Sequence, residues 1–470
     1  MNKDQIISSL QKIIPKKDII SNNEELSKYN KDWRGFYNYK SICIVFPNSK
    51  IEISKILKLC FNNNIKVVPQ AGNTSLTGAS VPSKNNYEIL INLKKMNKIL
   101  SIDKTNLLIE VESGVILDNL KKYVNKNNFY FPLSLSSSGS CLIGGNIATN
   151  AGGINALKYG TIRESLQGIE VVLSDGSIIE SMSAMKKDNT GYDIKNIFCG
   201  SEGTLGIITK ALLKIYPKPK NYYHCFFAFK SIDKTINFFQ KLRDLFNETL
   251  ESAEIIPNIA FEMTIKHGFL NKHFFSSAHE SYLLCKFSLF EDKEKFQEIF
   301  YNKIQKIDKL YKDLIIAQSI QQEINFWKFR DDLVTSYKME GRYITNDISL
   351  PLNKLEQFIK IASKKINNLI PGTRIYPFGH LGDGNIHFNM IEPINFSKNF
   401  DSYRNQIYDL VNEIVVENQG SFSAEHGIGM IKKESLQKFK NINQIEFMKN
   451  IKRSLDPKNI LNPGKIIDLD

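Results

Sequence analysis

Three glycine-rich segments in the first half of the chain constrain its fold more than any other feature. They span residues 69–78, 132–153 and 200–209, and the longest contains five glycines among many small side chains. Such a stretch is unsuited to a regular helix or strand, and it lets a flat ligand approach the backbone closely. Glycine also lets consecutive backbone N–H groups point into one concavity, which suits a diphosphate.

One such loop alone would be better explained as a plain surface turn. Three of them in one domain predict a large ligand that carries a diphosphate and a ring system. Neither a G-x-G-x-x-G that opens a helix nor a G-x-x-x-x-G-K-[ST] occurs, so Rossmann and P-loop domains are excluded.

The pattern of apolar residues indicates two parts of different texture. Short apolar runs alternate with helical stretches up to residue 217, and two prolines within 216–221 indicate a boundary. Strands are predicted at 42–46, 65–68, 89–93, 107–111, 224–229, 281–287 and 313–317. Helices are predicted near the amino terminus (an amphipathic one) and at 235–250, 292–310 and 320–337. The second part is therefore predicted to be an α+β domain.

Composition excludes several classes of protein. The net charge of +13 comes mostly from lysines scattered along the chain, whereas a nucleic-acid surface clusters its charge and favours arginine. We interpret the charge mainly as compositional bias, with an anionic surface as the alternative. The six cysteines form no C-x-x-C pair, which indicates a reducing compartment and excludes a cysteine-ligated iron–sulfur cluster. No apolar run reaches the ~18 residues of a membrane span.

The second half contains a cluster of histidines in glycine-rich sequence. Residues 376–389 read as strand, turn and strand, a hairpin that sets His380 opposite His387 and puts Asn389 on the His387 face. Glu425 adjoins His426, and the following glycine would allow the chain to turn there. Two histidines and one carboxylate with an open position are a catalytic metal pattern that suits zinc best; iron, manganese and cobalt stay open. A single histidine is more often a hydrogen-bonded structural residue than a metal ligand. We interpret the other four, His224, His267, His273 and His279, as structural or surface residues.

The three loops, in this order and spacing, resemble the FAD-binding domain of the vanillyl-alcohol oxidase and p-cresol methylhydroxylase superfamily. Within that superfamily, two strings closely resemble the FAD-linked D-2-hydroxyacid dehydrogenases: PLSLSSSGSCLIGGNIATNAGGINALKYGTIRESLQGIEVVLSDG and DNTGYDIKNIFCGSEGTLGIIT. That family includes D-2-hydroxyglutarate dehydrogenase, D-lactate dehydrogenase and the glycolate oxidase flavin subunit. The resemblance extends from residue 32 to residue 465.

The resemblance implies an α+β fold. It consists of a two-part FAD-binding domain of the p-cresol methylhydroxylase type and an α+β substrate (cap) domain with an antiparallel sheet, followed by a helical return to the FAD domain. We expect a helical lead-in at 1–37, the FAD-binding domain at 38–217, the substrate domain with the metal site at 218–425 and the returning segment at 426–470.

The resemblance also implies which residues bind FAD. Covalently flavinylated relatives have a histidine near the position of Asn73, so FAD is expected to be non-covalent. Ala71 stands where the family usually has glycine, which is tolerable if its φ is negative. The implied cofactor residues are Pro69, Gly72, Asn73, Thr74, Ser75, Gly78, Pro132, Leu133, Ser140, Gly144, Gly145, Thr149, Asn150, Gly160, Glu202, Gly203, Gly206, Ile208 and Asn462.

The implied reaction centre lies in the second half. By resemblance, His380, His387 and Glu425 bind the metal, His426 is the general base, and Arg330 grips the substrate carboxylate. Asn389 and His426 are also expected to contact the substrate. The alternative for Arg330 is a helix-surface salt bridge with one of the two aspartates that follow it. Val334 and Thr345 stand where D-2-hydroxyglutarate dehydrogenases have a threonine and a lysine, which argues against a second substrate carboxylate bound in the same way.

The implied function is the oxidation of a small D-2-hydroxyacid of the D-lactate, D-2-hydroxyglutarate or glycolate class. Electrons are expected to pass to a separate electron-transfer flavoprotein or a quinone. The expected location is the cytoplasm or the inner face of a membrane, and the mitochondrial matrix in a eukaryote. Peripheral membrane contact and a homodimer stay open, and no nucleic acid is expected. The rivals are a non-redox transferase like alkyl-dihydroxyacetone-phosphate synthase, an oxygen-using oxidase, and a non-catalytic protein that binds anionic polymers or membrane surfaces.

Overall fold

The computed structural model describes residues 1–84 and 87–469 and divides into two compact units, each assembled from separate stretches of chain. Unit 1 comprises Met1–Gly152, Gly160–Lys218 and Glu425–Asp470. Unit 2 comprises Gly153–Tyr159 and Pro219–Ala424. The chain therefore enters unit 2 briefly at residues 153–159 and returns to unit 1. It then forms the rest of unit 2 with residues 219–424 and ends in unit 1.

Unit 1 contains a four-stranded and a five-stranded sheet and one two-stranded ribbon. The strands are β1 (Ile19–Ile20), β2 (Cys43–Val45), β3 (Lys66–Gln70), β4 (Glu88–Asn92), β5 (Ile99–Asp103), β6 (Leu108–Glu112), β7 (Phe129–Tyr130), β8 (Leu166–Val172), β9 (Ile178–Ser181), β10 (Ile207–Lys214) and β11 (Tyr216–Pro217). The orders are β1-β2-β4-β3, with β2, β4 and β3 parallel, and β5-β6-β10-β8-β9, entirely antiparallel. The ribbon joins β11 to β7.

The helices of unit 1 pack against these sheets through apolar residues at helical spacing. They are α1 (Lys3–Gln11), α2 (Asn23–Asn30), α3 (Lys50–Asn62), α4 (Leu117–Lys126), α5 (Ile143–Ala148), α7 (Ile162–Ser165), α8 (Ile194–Phe198), α15 (Lys433–Phe439) and α16 (Ile442–Leu455), with α6 (Ala156–Tyr159) in unit 2. In α3, the Ser49 side chain caps the first turn and Ile53, Ile56 and Leu57 are buried. Near the carboxyl end, Leu461 forms a parallel bridge to Val67 of β3, so this segment is part of the unit 1 core.

Unit 2 is a seven-stranded antiparallel sheet with helices. Its strands are β12 (Asn221–Phe229), β13 (Leu250–Pro257), β14 (Ser281–Leu289), β15 (Asp313–Ile316), β16 (Tyr343–Ser349), β17 (Arg374–His380) and β18 (Asn385–Ile391). Its further helices are α9 (Ile232–Phe246), α10 (Asn258–Lys266), α11 (Lys293–Ile304), α12 (Ile320–Lys338), α13 (Leu352–Leu369) and α14 (Arg404–Glu417). The strand order is β15-β12-β14-β13-β17-β18-β16. Every residue of β13 is buried, so this strand runs through the interior of the unit.

The expected α+β fold with an antiparallel second sheet is confirmed. The predicted strands are present with ends shifted by a few residues, and the helix expected at 292–310 is α11 followed by a 3-10 helix. One expectation is wrong: residues 132–153 are not wholly irregular, because α5 lies within them. In the described part of the chain, no helix is both long and apolar enough to cross a membrane. The six cysteines are buried free thiols.

Candidate active site

In unit 1 the first two glycine-rich loops pack against each other so closely that only glycine fits at their contacts. A Cβ built on Gly72 would lie 2.2 Å from the carbonyl oxygen of Ser140, and one on Gly145 would lie 2.8 Å from the Cβ of Ala71. Ala71 is not among the residues with positive φ, so the methyl group there costs no backbone strain. Asn73, by contrast, has a φ of 53°, and its Oδ1 accepts a hydrogen bond from Ser80 at 2.8 Å.

The other predicted cofactor residues in unit 1 lie on the same loops or at the element ends next to them. Gly144 and Gly145 are in α5, and Thr149 and Asn150 follow it. The remaining ones are Pro69 in β3, Thr74, Ser75 and Gly78 after β3, Pro132 and Leu133 before α5, Gly160 before α7, Gly203 and Gly206 before β10, and Ile208 in β10.

Two buried polar atoms in these loops support a ligand there. Among the described residues, Asn146 Nδ2 of α5 and Ser201 Oγ of the third loop have no hydrogen-bond partner. A buried polar group without a partner is costly, and a polar ligand between the loops would satisfy such groups. Together with backbone contacts that exclude any Cβ, this donor set fits a large cofactor with a diphosphate.

Glu202 shapes the turn after His426. Its backbone has a φ of 50°, and its carboxylate accepts hydrogen bonds from the N–H groups of Ile428 (2.7 Å) and Gly429 (2.8 Å). Burial raises the pKa of Glu202 to about 7, opposed by these two hydrogen bonds and by Lys432. The Glu202 side chain therefore bonds within the protein. Asn462 Nδ2 likewise donates to the carbonyl oxygens of Glu202 (2.7 Å) and Ala79 (2.9 Å), whereas its buried Oδ1 has no hydrogen-bond partner among the described residues.

Glu425 and His426 directly precede the turn whose N–H groups donate to Glu202. Glu425 Oε1 is 3.6 Å from His426 Nε2, and both side chains are partly exposed. Gly427 and Gly429 have φ values of 80° and 52°, so the chain turns after His426 through conformations that favour glycine. The turn that the sequence analysis required is thus present, and it lets adjacent residues present their side chains together.

In unit 2 one carboxylate connects two of the predicted site residues. Glu254 of β13 accepts from His380 Nδ1 through Oε1 at 2.6 Å, and from Arg330 Nε through Oε2 at 2.7 Å. All three side chains are buried. Burial would raise the pKa of Glu254, but the charges and hydrogen bonds of His380 and Arg330 lower it to about 2. Arg330 is therefore an interior residue, and the alternative of a helix-surface salt bridge with the next aspartates is wrong.

The predicted histidine hairpin is present with a different register. β17 and β18 pair antiparallel, but His380 faces Asn385 and His387 faces Phe378. The expectation that His380 sits directly opposite His387 is wrong. The two histidines are offset by two residues along the ladder, because the turn between the strands is a short 3-10 helix, Leu381–Asp383, followed by Gly384. Strand alternation still puts both rings on one face, with centroids 5.4 Å apart.

Asp347 adds a carboxylate beside this hairpin. It lies in β16 directly across from His387, with its Oδ1 3.8 Å from His387 Nδ1, and it accepts from Asn385 Nδ2 at 3.0 Å. The backbone N–H of Ala424, the residue before Glu425, donates to the Asp347 carbonyl oxygen. A histidine whose Nδ1 is held by a carboxylate, as in His380, is the arrangement typical of metal ligands, so these donors fit a divalent cation.

Asn389 occupies the His387 face of β18, as predicted. It is 1% exposed, and its Nδ2 has no hydrogen-bond partner among the described residues. Across the ladder it faces Tyr376 on one side and Thr345 on the other. Such a donor can serve a ligand oxygen.

Glu254 and Asp347 are site residues that were not predicted from the sequence. Glu254 lies far along the chain from His380, and strand pairing alone brings them together, so no local signal identifies it. Three of the four histidines interpreted as structural form hydrogen bonds within unit 2: His267 with Glu340, His273 with Tyr282 and His279 with Ser277. The fourth, His224, has its Nδ1 3.5 Å from a Glu323 carboxylate oxygen.

Comparison with known proteins gives consistent matches over both parts of the chain. Family profiles match at residues 41–181, for an FAD binding domain, and at residues 217–466, for FAD linked oxidases, C-terminal domain. A probable mitochondrial D-2-hydroxyglutarate dehydrogenase of Oryza sativa is 33% identical over 99% of this chain and 82% of its own length. A D-2-hydroxyglutarate–pyruvate transhydrogenase of Saccharomyces cerevisiae is 35% identical over 94% of this chain and 90% of its own. The structure of p-cresol methylhydroxylase with bound substrate superposes with a TM-score of 0.79 at 16% identity, covering 99% and 97% of the two chains.

Proposed function

The chain belongs to the FAD-linked oxidases and is an FAD-dependent D-2-hydroxyacid dehydrogenase, and from this premise we propose which of its residues carry the reaction. The observation that carries the proposal is the buried arrangement of Arg330, Glu254 and His380, which holds a carboxylate-binding group and a metal-binding group at fixed positions.

The loops of unit 1 hold FAD without a covalent bond. FAD bound there would supply the acceptor for the hydride of the substrate Cα. The close contacts at Gly72 and Gly145 support this assignment, since a side chain at either position would separate the loops. The unpartnered Asn146 Nδ2 and Ser201 Oγ are the donors that we expect the cofactor to engage.

His380, His387 and Glu425 hold a divalent cation, zinc by preference. When bound, the cation acts as a Lewis acid that favours loss of the substrate hydroxyl proton. The contact of His380 Nδ1 with Glu254 supports this role, because in the neutral imidazole that donates through Nδ1 the lone pair is on Nε2. Asp347, beside His387, is the additional carboxylate that we expect at this site.

Arg330 binds the substrate carboxylate, since its guanidinium fork matches that geometry. His426 takes the hydroxyl proton, and Asn389 donates to a substrate oxygen. An imidazole base suits this step because its unperturbed pKa of about 6.5 lies near neutral pH. Because Arg330 fixes the position of the substrate carboxylate, it also fixes which face of the substrate Cα is presented for hydride transfer.

Two classes of substrate are candidates: D-2-hydroxyglutarate, which has two carboxylates, and acids with one carboxylate. The names of the relatives favour D-2-hydroxyglutarate. Thr345 favours a one-carboxylate acid such as D-lactate, because it faces Asn389 across the ladder and offers a neutral hydroxyl group where a second carboxylate would need a cation. Partly buried Val334 on α12 adds no charge there either.

Electrons leave to a separate acceptor, an electron-transfer flavoprotein or a quinone. The name of the yeast relative adds a further class of acceptor, a 2-oxoacid that is itself reduced. In a eukaryote, the relatives' names support a mitochondrial location, within which the matrix is our proposal.

An anaerobic titration of the purified yellow protein tests the proposal. D-lactate, glycolate, D-2-hydroxyglutarate and the available L-enantiomers are added while the flavin spectrum is recorded, before and after chelator treatment. We expect one D-acid to bleach the flavin, and the chelator to abolish the bleaching. A flavin that no hydroxyacid bleaches favours the transferase, and peroxide formation in air favours the oxidase.

A further inference from the structure

The Glu254 carboxylate contacts two proposed site residues that have different tasks. It lies in the middle of β13 and is the direct cross-strand partner of His380 in β17. Arg330 reaches the same carboxylate from α12. Glu254 is 1% exposed, so water cannot substitute for either partner.

The contact with His380 determines which ring nitrogen carries hydrogen. A carboxylate oxygen only accepts, so the 2.6 Å contact between Oε1 and Nδ1 requires Nδ1 to donate. In a neutral imidazole the other nitrogen, Nε2, then has the lone pair that binds a metal. The buried position of Glu254 in a central strand also fixes the plane of the His380 ring.

The contact with Arg330 determines which edge of the guanidinium is presented. Oε2 accepts from Nε at 2.7 Å, so this bond does not use the two Nη groups. Those groups form the fork that matches a carboxylate end-on. The Arg330 guanidinium also lies over the Phe378 ring, 5.4 Å from its centroid, which restricts its rotation further.

We propose that Glu254 is a positioning residue that orients the metal ligand and the carboxylate-binding residue together, with Oε1 setting His380 Nε2 toward the metal and Oε2 setting the Arg330 fork toward the substrate. This inference rests on the proposed function, and it assigns a second role to a carboxylate that would otherwise be only an interior ion-pair partner.

Glu254→Gln separates positioning from packing. The amide has the same shape but one acceptor oxygen, so it cannot accept from both His380 and Arg330. If the amide nitrogen faces His380, the ring must donate through Nε2 and metal binding weakens. If it faces Arg330, the guanidinium loses its anchor and substrate binding weakens.

Glu251→Gln is the matched control. Glu251 is a fully buried carboxylate in the same strand, paired with Lys286 at 2.7 Å. Both variants remove one buried charge from β13, so a purely structural effect should appear in both. Glu254→Asp is the second variant, which retains the charge but is too short to reach both partners, and it is used if the glutamine variant does not fold.

The experiment measures zinc affinity of chelator-treated, FAD-loaded protein by competition with a chromogenic chelator, and the substrate KM after zinc is restored. We expect Glu254→Gln to bind zinc about 10–100-fold more weakly, or to raise KM by a similar factor, while Glu251→Gln stays within about twofold. The inference is overturned if both quantities in Glu254→Gln match wild type, or if Glu251→Gln shifts equally. His380→Ala with wild-type zinc affinity would instead refute the metal assignment in the proposed function.

Discussion

Replacing Glu202 with glutamine tests how burial and hydrogen bonding balance at the turn after His426. Burial raises the pKa of Glu202 from 4.5 to about 7, although Ile428 and Gly429 donate backbone hydrogen bonds to its carboxylate. The folded protein therefore keeps this proton over a pH range in which the unfolded chain has lost it.

The sign and size of the effect follow from proton linkage. Because the folded-state pKa lies above the unfolded value, the stabilisation is fully present below pH 4.5 and is lost as the pH rises through about 7. Wild type should lose about 2.5 kcal/mol of unfolding free energy between about pH 5 and pH 8 through this group alone. Glutamine does not titrate, and its single oxygen can still accept from one of the two N–H groups.

The assay is the melting temperature of FAD-loaded wild type and Glu202→Gln across this pH range, followed by flavin fluorescence. All other groups titrate in both proteins, so the difference between the two curves isolates Glu202. For a unit of this size we expect that difference to change by about 5–10 °C. A constant difference would refute the reasoning, because the two N–H donors would then outweigh burial and keep Glu202 ionised in the folded protein.

Three further predictions address the site directly. His426→Ala should keep the FAD spectrum but slow anaerobic flavin reduction by substrate by about 10²–10⁴-fold, and a wild-type rate would remove His426 as the base. Gly72→Ala should purify with less FAD, because its Cβ would lie 2.2 Å from the Ser140 oxygen. Gly139→Ala, whose nearest contact would be 3.7 Å from Asp118, should keep FAD, and equal flavin content in the two variants would contradict the argument. Chelator treatment should abolish flavin reduction by the substrate without releasing FAD, with recovery on adding zinc; unchanged flavin reduction would argue against a metal.

Local sequence predicted the elements well and their mutual register less well. The hairpin around His380 and His387 was predicted from strand-like runs that flank glycines, but the 3-10 turn sets the pairing one step away. In the second glycine-rich segment, the small residues obscured α5. Glu254 could not be predicted, since its partners are reached only through strand pairing and helix packing across unit 2.

The discontinuous course of the chain also governs the order in which its two units can fold during synthesis. Unit 1 includes the last segment, where Lys452 donates to the carbonyl oxygens of Thr204 and Leu461 and forms a buried ion pair with Asp456. Until those residues leave the ribosome, β3 lacks its bridge to Leu461 and the core of unit 1 is incomplete. The last residue of unit 2 is residue 424, so all of its chain has been synthesised earlier. A translation stop shortly after unit 2 would therefore damage the amino-terminal half of the protein, far away in sequence from the lesion.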